Sequence, residues 1–247
     1  TGPAILAAVL HLVASDPEAL LLVMPCDHNV PDRDAFGTAV RVGIPAAEAG
    51  QIVTFGIRPT RPETGYGWLE LAQIPSAGGP KAVPLNRFVE KPTLDKAEAM
   101  LADGRYLWNA GIFLMSAKAA LTAFQAHAPN LIKHVQGALD RAKTDLGFLR
   151  LAAEPWSRAQ DISIDYAVME HARNLQVVPF EGNWSDLGDW NSVWRESAPD
   201  ADGLVTHGPV TVIDSRNSLL RSENEGIELV GIGLDNLMVV AMPDAVL

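Results

Sequence analysis

The sequence predicts an α/β fold: a doubly wound, mixed and mostly parallel sheet, followed by a small all-β appendage at the C-terminal side. Short, wholly apolar runs at residues 20–25 and 51–57 are typical of strands buried on both faces of a parallel sheet. A helical segment at 32–49 separates the two runs. Strand, helix and strand in this order predict a right-handed βαβ unit.

The same signals locate the other elements. A first helix at 3–13 has Thr1 as its cap and Pro3 in its first turn, and Gly104 marks the end of a helix at 93–103. A Gly/Pro-rich excursion is predicted at 75–80. The remaining predicted strands are 66–74, 83–90, 109–115 and 175–180, and the remaining predicted helices are 117–150 with a break at Pro129, 163–173 and 189–197.

The composition changes after Pro199, where short apolar runs alternate with Asn, Gly and Asp. We therefore predict a first domain at 1–200 and the start of a small β domain at 201–247. The first coils of a solenoid are one interpretation of this spacing, although no repeat is evident in so short a segment.

Composition limits the function classes. A chain of 247 residues with 48% hydrophobic and 20% charged residues is typical of a soluble globular protein, and no apolar stretch is long enough to span a membrane. The net charge of −11 argues against nucleic-acid binding but leaves small phosphorylated ligands open. The single cysteine, Cys26, fits a reducing, cytoplasmic setting. The oligomeric state stays open, with a homodimer as a candidate.

Two aspartates follow predicted strands. Asp27 comes after the run at 20–25, and Asp186 lies between the strand at 175–180 and the next helix. Open α/β sheets bind ligands beyond the carboxyl ends of their strands, so the two could share one Mg²⁺. The alternative is structural: Asp27 would cap a turn, and Asp186 or Asp189 would cap the helix.

Three further strand-end segments carry polar or flexible residues. Gly65 and Gly67 would let the backbone approach a ligand, or would only form a turn. Glu90 could accept hydrogen bonds from sugar hydroxyls and Lys91 could bind a phosphate. Alternatively, the two residues form a surface ion pair. Asn109 offers a donor and an acceptor to a hydroxyl, or forms a turn.

Two classes of chemistry find no support in the sequence. Ser163 and Ser185 lack the Gly-x-Ser-x-Gly context of a nucleophilic serine. The six histidines lack the spacing of zinc ligands.

The candidate segments form a specific set when they are taken in order. PCDH, TFGIRPTRPETGYG, FVEKP, YLWNAGIFL, SIDYAVME and WSDLGDW resemble the mannose-1-phosphate guanylyltransferases, particularly the bacterial type often fused to a mannose-6-phosphate isomerase. The similarity covers essentially the whole chain. SIDYAVME and TFGI…PETGYG are specific to this family, whereas VEKP and W-x-D-x-G would fit any sugar nucleotidylyltransferase.

The resemblance implies a Rossmann-like nucleotide-diphospho-sugar transferase fold and a role for each matching residue. The family's WNSG is WNAG here, so Ala110 lacks one hydroxyl. The implied catalytic residues are Asp27 and Asp186, as Mg²⁺ ligands, and Lys91, which would contact the sugar phosphate. The implied substrate-binding residues are Gly67, Glu90 and Asn109, which would contact the mannosyl ring, together with Tyr66 and Asp165.

The implied reaction makes GDP-mannose and pyrophosphate from GTP and mannose 1-phosphate. Alternatives are the same chemistry on another hexose 1-phosphate and a non-catalytic, sugar-nucleotide-binding regulatory subunit. The family's Gly-rich, Arg-containing nucleotide loop is not in the sequence, which opens on a helix without an initiating Met and stops within an apolar run. We therefore expect an internal fragment that by itself does not turn over substrate.

Overall fold

The computed structural model describes residues 1–73 and 81–247. The predicted Gly/Pro-rich excursion at 75–80 and the end of the strand predicted at 66–74 lie outside this part of the chain. The chain forms two compact units. The first comprises Thr1–Cys26 and Val30–Asn183, and the second comprises Asp27–Asn29 and Trp184–Leu247.

The elements of the first unit agree in most places with the apolar patterns of the sequence. Its helices are α1 (Gly2–Val13), α2 (Arg33–Glu48), α3 (Leu94–Asp103), α4 (Ala117–His127), α5 (Pro129–Asp140) and α6 (Ala153–Trp156). Its strands are β1 (Leu20–Val23), β2 (Ile52–Ile57), β3 (Trp68–Leu71), β4 (Val83–Val89), β5 (Tyr106–Ser116), β6 (Lys143–Asp145), β7 (Phe148–Arg150) and β8 (Leu175–Phe180).

Capping residues determine where several helices begin and end. The Asp32 side chain accepts a hydrogen bond from the Ala35 N–H at 2.9 Å and starts α2, since it satisfies one of the unpaired donors of the first turn. Gly104, in the left-handed conformation with φ +75°, ends α3 as predicted. Among the described residues, no helix combines the length and apolar character needed to cross a membrane.

The main sheet is mixed, with the strand order β1-β5-β2-β8-β4-β3. Within the described residues, β2–β8 is its one parallel pair, so the prediction of a mostly parallel sheet is wrong. β1 and β2 both pair antiparallel with β5 and therefore run in the same direction with β5 between them. An apolar run indicates burial on two faces of a sheet but contains no information on strand direction. The position of β5 between β1 and β2 was therefore not predictable from it.

Two segments differ from the helices predicted for them. Residues 143–150 form an antiparallel β-hairpin of β6 and β7 instead of the end of a long helix. Leu146 and Gly147 have φ of +48° and +84°, the left-handed pair that a tight hairpin turn requires. Within the helix predicted at 163–173, the regular part is a single π-helical turn, Asp165–Met169.

A continuous apolar core lies between the helices and the sheet of the first unit. Leu6 and Val9 of α1, Ile52 of β2, Leu69 of β3 and Met169 of the π-helical turn are almost completely buried in it. Helix α1 packs against α4 and α5, while α2 packs against β2, β5 and β8. The π-helical turn is therefore anchored by its apolar residues.

The second unit contains one helix, α7 (Trp190–Glu196), and short strands in its described residues. The strands are β9 (Val205–His207), β10 (Val210–Ile213), β11 (Leu219–Ser222), β12 (Leu229–Ile232) and β13 (Met238–Ala241). β11 pairs in parallel with β9 and β13, and β10 with β12. Hydrogen bonds from Leu234 to Ser215 and from Leu237 to Ser218 each join residues 19 apart. The β10–β12 and β11–β13 pairs share this offset of 19 residues, whereas β9 and β11 pair at an offset of 14.

A glycine in β2 provides a test of the packing. A Cβ atom on Gly56 would lie 2.5 Å from Cδ1 of Leu107 and 2.7 Å from Cγ2 of Val177. We expect Gly56→Ala to lower the free energy of unfolding by about 1–3 kcal/mol, because an overpacked core must shift neighbouring side chains. Urea denaturation measures this change.

Gly137→Ala in α5 is the matched control. Its new Cβ atom would meet no atom closer than 3.6 Å. Because alanine favours the helix interior, the free energy of unfolding should rise by up to about 1 kcal/mol. Equal stability of Gly56→Ala and the wild type would contradict the packing described here.

Candidate active site

Residues from the ends of two strands, the middle of a third and the π-helical turn meet around Gly67. The Gly67 carbonyl oxygen accepts a hydrogen bond from the Asn109 N–H at 2.7 Å. A Cβ atom on Gly67 would lie 2.8 Å from Oε2 of Glu90 and 3.2 Å from Cβ of Asn109. A side chain at position 67 would therefore displace the Glu90 carboxylate and press against Asn109, and glycine leaves both close to the backbone.

Asn109 lies inside β5 and not at a strand start. The β2–β5 register shifts between Thr54 and Gly56, and Gly111 has φ +68°, which indicates a bulge in β5. The Asn109 Oδ1 accepts from the Thr54 hydroxyl at 2.7 Å, and its Nδ2 donates to Oδ1 of Asp165 at 3.3 Å. Both ends of the amide are thereby oriented, which leaves one N–H and one lone pair for a ligand.

Glu90 is a carboxylic acid with an unusual environment. Its side chain is 9% exposed. Burial, followed by repulsion from the nearby Asp165, raises the pKa of Glu90 from 4.5 to about 7, against the opposing effect of Lys91 at 3.8 Å. Burial also raises the pKa of Asp165. Near neutral pH the Glu90 carboxyl is therefore partly protonated and can donate as well as accept a hydrogen bond.

Lys91 occupies a constrained turn directly after Glu90. Its backbone has φ +43°, and its N–H donates to the Tyr66 carbonyl oxygen at 3.2 Å. Its side chain is 56% exposed, so the ammonium group is accessible to a ligand. An exposed ammonium group held at a fixed turn suits a phosphate.

An aromatic group lies beside this turn. The rings of Tyr66 and Trp108 meet edge to face with centroids 5.4 Å apart. The Arg61 guanidinium lies 5.0 Å from the Trp108 ring and 5.8 Å from the Tyr66 ring, and its Nη2 is 2.8 Å from Oε2 of Glu63. The ion pair and the two cation–π contacts restrain the Tyr66 segment.

Asp27 and Asp186 both lie in the second unit, next to one antiparallel bridge. Asn29 and Ser185 form this bridge through backbone N–H to oxygen distances of 2.8 and 3.0 Å. Asp27 lies two residues before Asn29, and Asp186 follows Ser185 directly. The bridge therefore brings the chain segments of the two aspartates side by side.

The local roles of the aspartates near α7 are distinct. Asp189 caps α7 by accepting from the Ser192 N–H at 2.6 Å. Asp186 instead accepts from the Gly188 N–H at 3.1 Å in a turn before the helix. A Cβ atom on Gly188 would lie 2.6 Å from Oδ2 of Asp186, so a side chain at this position would displace the Asp186 carboxylate. The capping alternative thus applies to Asp189 and not to Asp186.

The chemistry of this aspartate pair fits a magnesium ion. Carboxylates are hard ligands, and Mg²⁺ usually takes one or two of them and keeps water or phosphate at its other positions. In the described part of the chain, no three His, Cys, Asp or Glu side chains are grouped so that they could hold a metal. Two carboxylates on neighbouring segments of the chain are a donor set that suits Mg²⁺.

Comparison with known proteins determines the family. The protein-family model described as nucleotidyl transferase matches residues 1–203. The chain belongs to this family. Nucleotidyl transferases of this kind generally use divalent metal ions.

Similar nucleotidyl transferases are known from several bacteria. The chain is 42% identical to a mannose-1-phosphate guanylyltransferase of Escherichia coli K12, over 100% of the chain and 52% of that protein. It is 40% identical to the xanthan biosynthesis protein XanB of Xanthomonas campestris strain B100, over 100% of the chain and 51% of that protein. The chain thus spans about half the length of these curated relatives.

A solved structure agrees with this family. A crystal structure described as a mannose-1-phosphate geranyltransferase from Thermus thermophilus matches with a TM-score of 0.82 and 31% identity. The match covers 100% of this chain and 70% of the solved chain.

In this nucleotidyl transferase, the structure brings together the predicted site residues of the first unit. The two predicted metal ligands lie beside the Asn29–Ser185 bridge of the second unit. Sequence reasoning missed Thr54, Arg61 and Glu170. Arg61 and Glu170 lie within the segments TFGIRPTRPETGYG and SIDYAVME, whose letters marked a motif but not their contacts. Thr54 is the first residue of the same segment as Arg61, but it lies in a buried strand and its place in the motif did not indicate its contact with Asn109.

The raised pKa of Glu90 predicts a pH-dependent stability. Because folding raises this pKa from 4.5 to about 7, the folded state binds more protons in that interval, and the free energy of unfolding falls as pH rises through it. Glu90→Gln should remove this part of the pH dependence, as measured by urea denaturation at pH 5 and pH 8.

Glu98→Gln, an exposed carboxylate on α3, is the control and should follow the wild type. The same fall in unfolding free energy between pH 5 and pH 8 in Glu90→Gln and in the wild type would show that Glu90 does not titrate in this range.

Proposed function

We propose that this nucleotidyl transferase is a mannose-1-phosphate guanylyltransferase, which makes GDP-mannose and pyrophosphate from GTP and mannose 1-phosphate. The observation that carries the proposal is the grouping of Glu90, Lys91, Asn109 and Asp165 around Gly67. This group offers hydroxyl-binding oxygens, an amide and one exposed cation, which are the contacts a sugar phosphate needs. The 42% identity to an enzyme of this name supports the choice of sugar and nucleotide.

The residues of the first unit would bind and orient the sugar phosphate. Glu90 and the remaining donor and acceptor of Asn109 would contact hydroxyls of the mannosyl ring, with Tyr66 and Asp165 completing the sugar site. Gly67 would keep the ring close to the backbone. Lys91 would bind the phosphate, whose oxygen attacks the α-phosphorus of GTP. Binding energy spent on orientation is a major source of rate enhancement in such transfers.

Asp27 and Asp186 would hold Mg²⁺ through their carboxylate oxygens. The ion would supply neutralisation of the negative charge that develops at the α-phosphoryl group. A protein nucleophile or strong general base is unnecessary, because the attacking phosphate oxygen is already ionised at neutral pH. The absence of a recognisable serine motif from the sequence agrees with this chemistry.

The domain organisation forms part of the proposal. We propose a nucleotidylyltransferase domain of the nucleotide-diphospho-sugar transferase type at 1–200 and the start of a small β-solenoid at 201–247. The 19-residue hydrogen-bond offset supports the solenoid. Positive φ recurs at the same offset, at Asp214 and Gly233 and at Asn217 and Asn236.

Replacement of the metal ligands tests the mechanism. In the intact protein, we expect Asp27→Asn and Asp186→Asn each to lower kcat at least about 100-fold, because a neutral amide is a poor ligand for Mg²⁺. Asp32→Asn is the control, since asparagine also caps a helix. Pyrophosphate release measures the rate. Near-normal kcat in both variants would remove Asp27 and Asp186 from the metal site.

A substrate panel tests the reaction itself. We expect intact protein with Mg²⁺ to prefer GTP and mannose 1-phosphate over glucose 1-phosphate and over UTP, ATP and dTTP by at least about 10-fold in kcat/KM. Preference for another hexose 1-phosphate would reassign the sugar. Binding of GDP-mannose without turnover of any pair would indicate a regulatory subunit instead of an enzyme.

A further inference from the structure

We infer that Glu170 is a positioning residue for sugar-phosphate binding, because its carboxylate fixes the turn that carries Glu90 and Lys91. The Oε1 atom of Glu170 accepts a hydrogen bond from the backbone N–H of Glu90 at 3.1 Å. The two residues are 80 positions apart, so this contact depends on the tertiary fold. The inference rests on the proposed function for its effect on catalysis, but not for the contact itself.

The turn after β4 needs such support. Lys91 has φ +43°, a left-handed conformation that is unfavourable for a residue with a side chain. Two hydrogen bonds from neighbouring backbone donors hold it: Lys91 donates to the Tyr66 carbonyl oxygen at 3.2 Å, and Glu90 donates to Glu170.

Glu170 is itself held in a fixed place. It directly follows the π-helical turn, and its N–H donates to the Asp165 carbonyl oxygen at 3.0 Å. Ala167, Val168 and Met169 of this turn are buried in the core. Single π-helical turns are frequent at functional sites. The turn presents Asp165 toward Asn109 at one end and Glu170 toward Glu90 at the other.

The contacts close into a ring. Glu170 holds the Glu90 backbone, the Glu90 carboxylate packs against Gly67, Gly67 binds the Asn109 N–H, and the Asn109 amide reaches Asp165. The π-helical turn joins Asp165 back to Glu170. Glu170 is thus the link that ties the strand-end turn to the rest of the sugar site.

Two substitutions at Glu170 separate hydrogen bonding from charge. Glu170→Gln keeps an oxygen that can accept from the Glu90 N–H, whereas Glu170→Ala removes it. In Glu170→Ala, we expect the KM for mannose 1-phosphate to rise about tenfold while the KM for GTP stays within about twofold. In Glu170→Gln, the KM for mannose 1-phosphate should stay within about threefold of the wild type. Glu98→Ala is the control for removal of an exposed carboxylate.

Hydrogen exchange of the Glu90 amide provides a readout that does not depend on turnover. We expect exchange at least about fivefold faster in Glu170→Ala and near the wild-type rate in Glu170→Gln. Measuring the segment 88–92 in intact protein keeps this test valid even if no nucleotide transfer is found. If no nucleotide transfer is found but the Glu90 amide exchanges faster in Glu170→Ala, the proposed function is contradicted and the contact is confirmed.

Two results would overturn the inference. Unchanged exchange of the Glu90 amide in folded Glu170→Ala would show that the hydrogen bond does not hold the turn. Equal loss of mannose 1-phosphate binding in Glu170→Ala and Glu170→Gln would show that charge, and not the retained acceptor, is responsible. If Glu170→Ala fails to fold, the test rests on Glu170→Gln. The inference is overturned if the Glu90 amide in Glu170→Gln exchanges at least about fivefold faster than in the wild type, and it stands otherwise.

Discussion

The candidate sugar site depends on the buried hydrogen bonds that run from Thr54 through Asn109 to Asp165. Thr54 is 1% exposed, and its hydroxyl donates to the Asn109 Oδ1, which leaves the Asn109 Nδ2 to face Asp165. A buried amide that loses a partner costs about 1–3 kcal/mol. The amide orientation is therefore a property of the core, and a ligand meets an Asn109 that is already oriented.

The bulge in β5 makes this arrangement possible. β5 pairs with β1, β2 and β3 along its 11 residues, so its position is fixed from several sides. The register shift opposite Thr54 and Gly56 lets Asn109 meet both the Thr54 hydroxyl and the Gly67 carbonyl oxygen. Bulges commonly re-aim side chains next to active sites, and here a central strand of the sheet carries one.

Local chemistry made much of the fold predictable, whereas key contacts of the candidate site arise only from the tertiary fold. Asp32 and Gly104 act through capping, which depends on residues close in sequence, so both helix boundaries were predictable. The β6–β7 hairpin was missed, since its turn uses Leu146 in a left-handed conformation that leucine rarely adopts. Thr54 and Glu170 act on motif residues from 55 and 80 positions away, and no spacing within a single segment encodes such roles.

The charges of the candidate sugar site suit the proposed sugar phosphate. Glu90, Asp165 and Glu170 place three carboxyl groups near one another, which would repel a phosphate if all were ionised. Burial, followed by repulsion from Asp165, raises the pKa of Glu90 to about 7, so this carboxyl loses part of its charge near neutral pH. The exposed Lys91 ammonium then supplies the positive charge at the turn. The site therefore combines acceptors for hydroxyls with an exposed cation for a phosphate, although the whole chain carries −11.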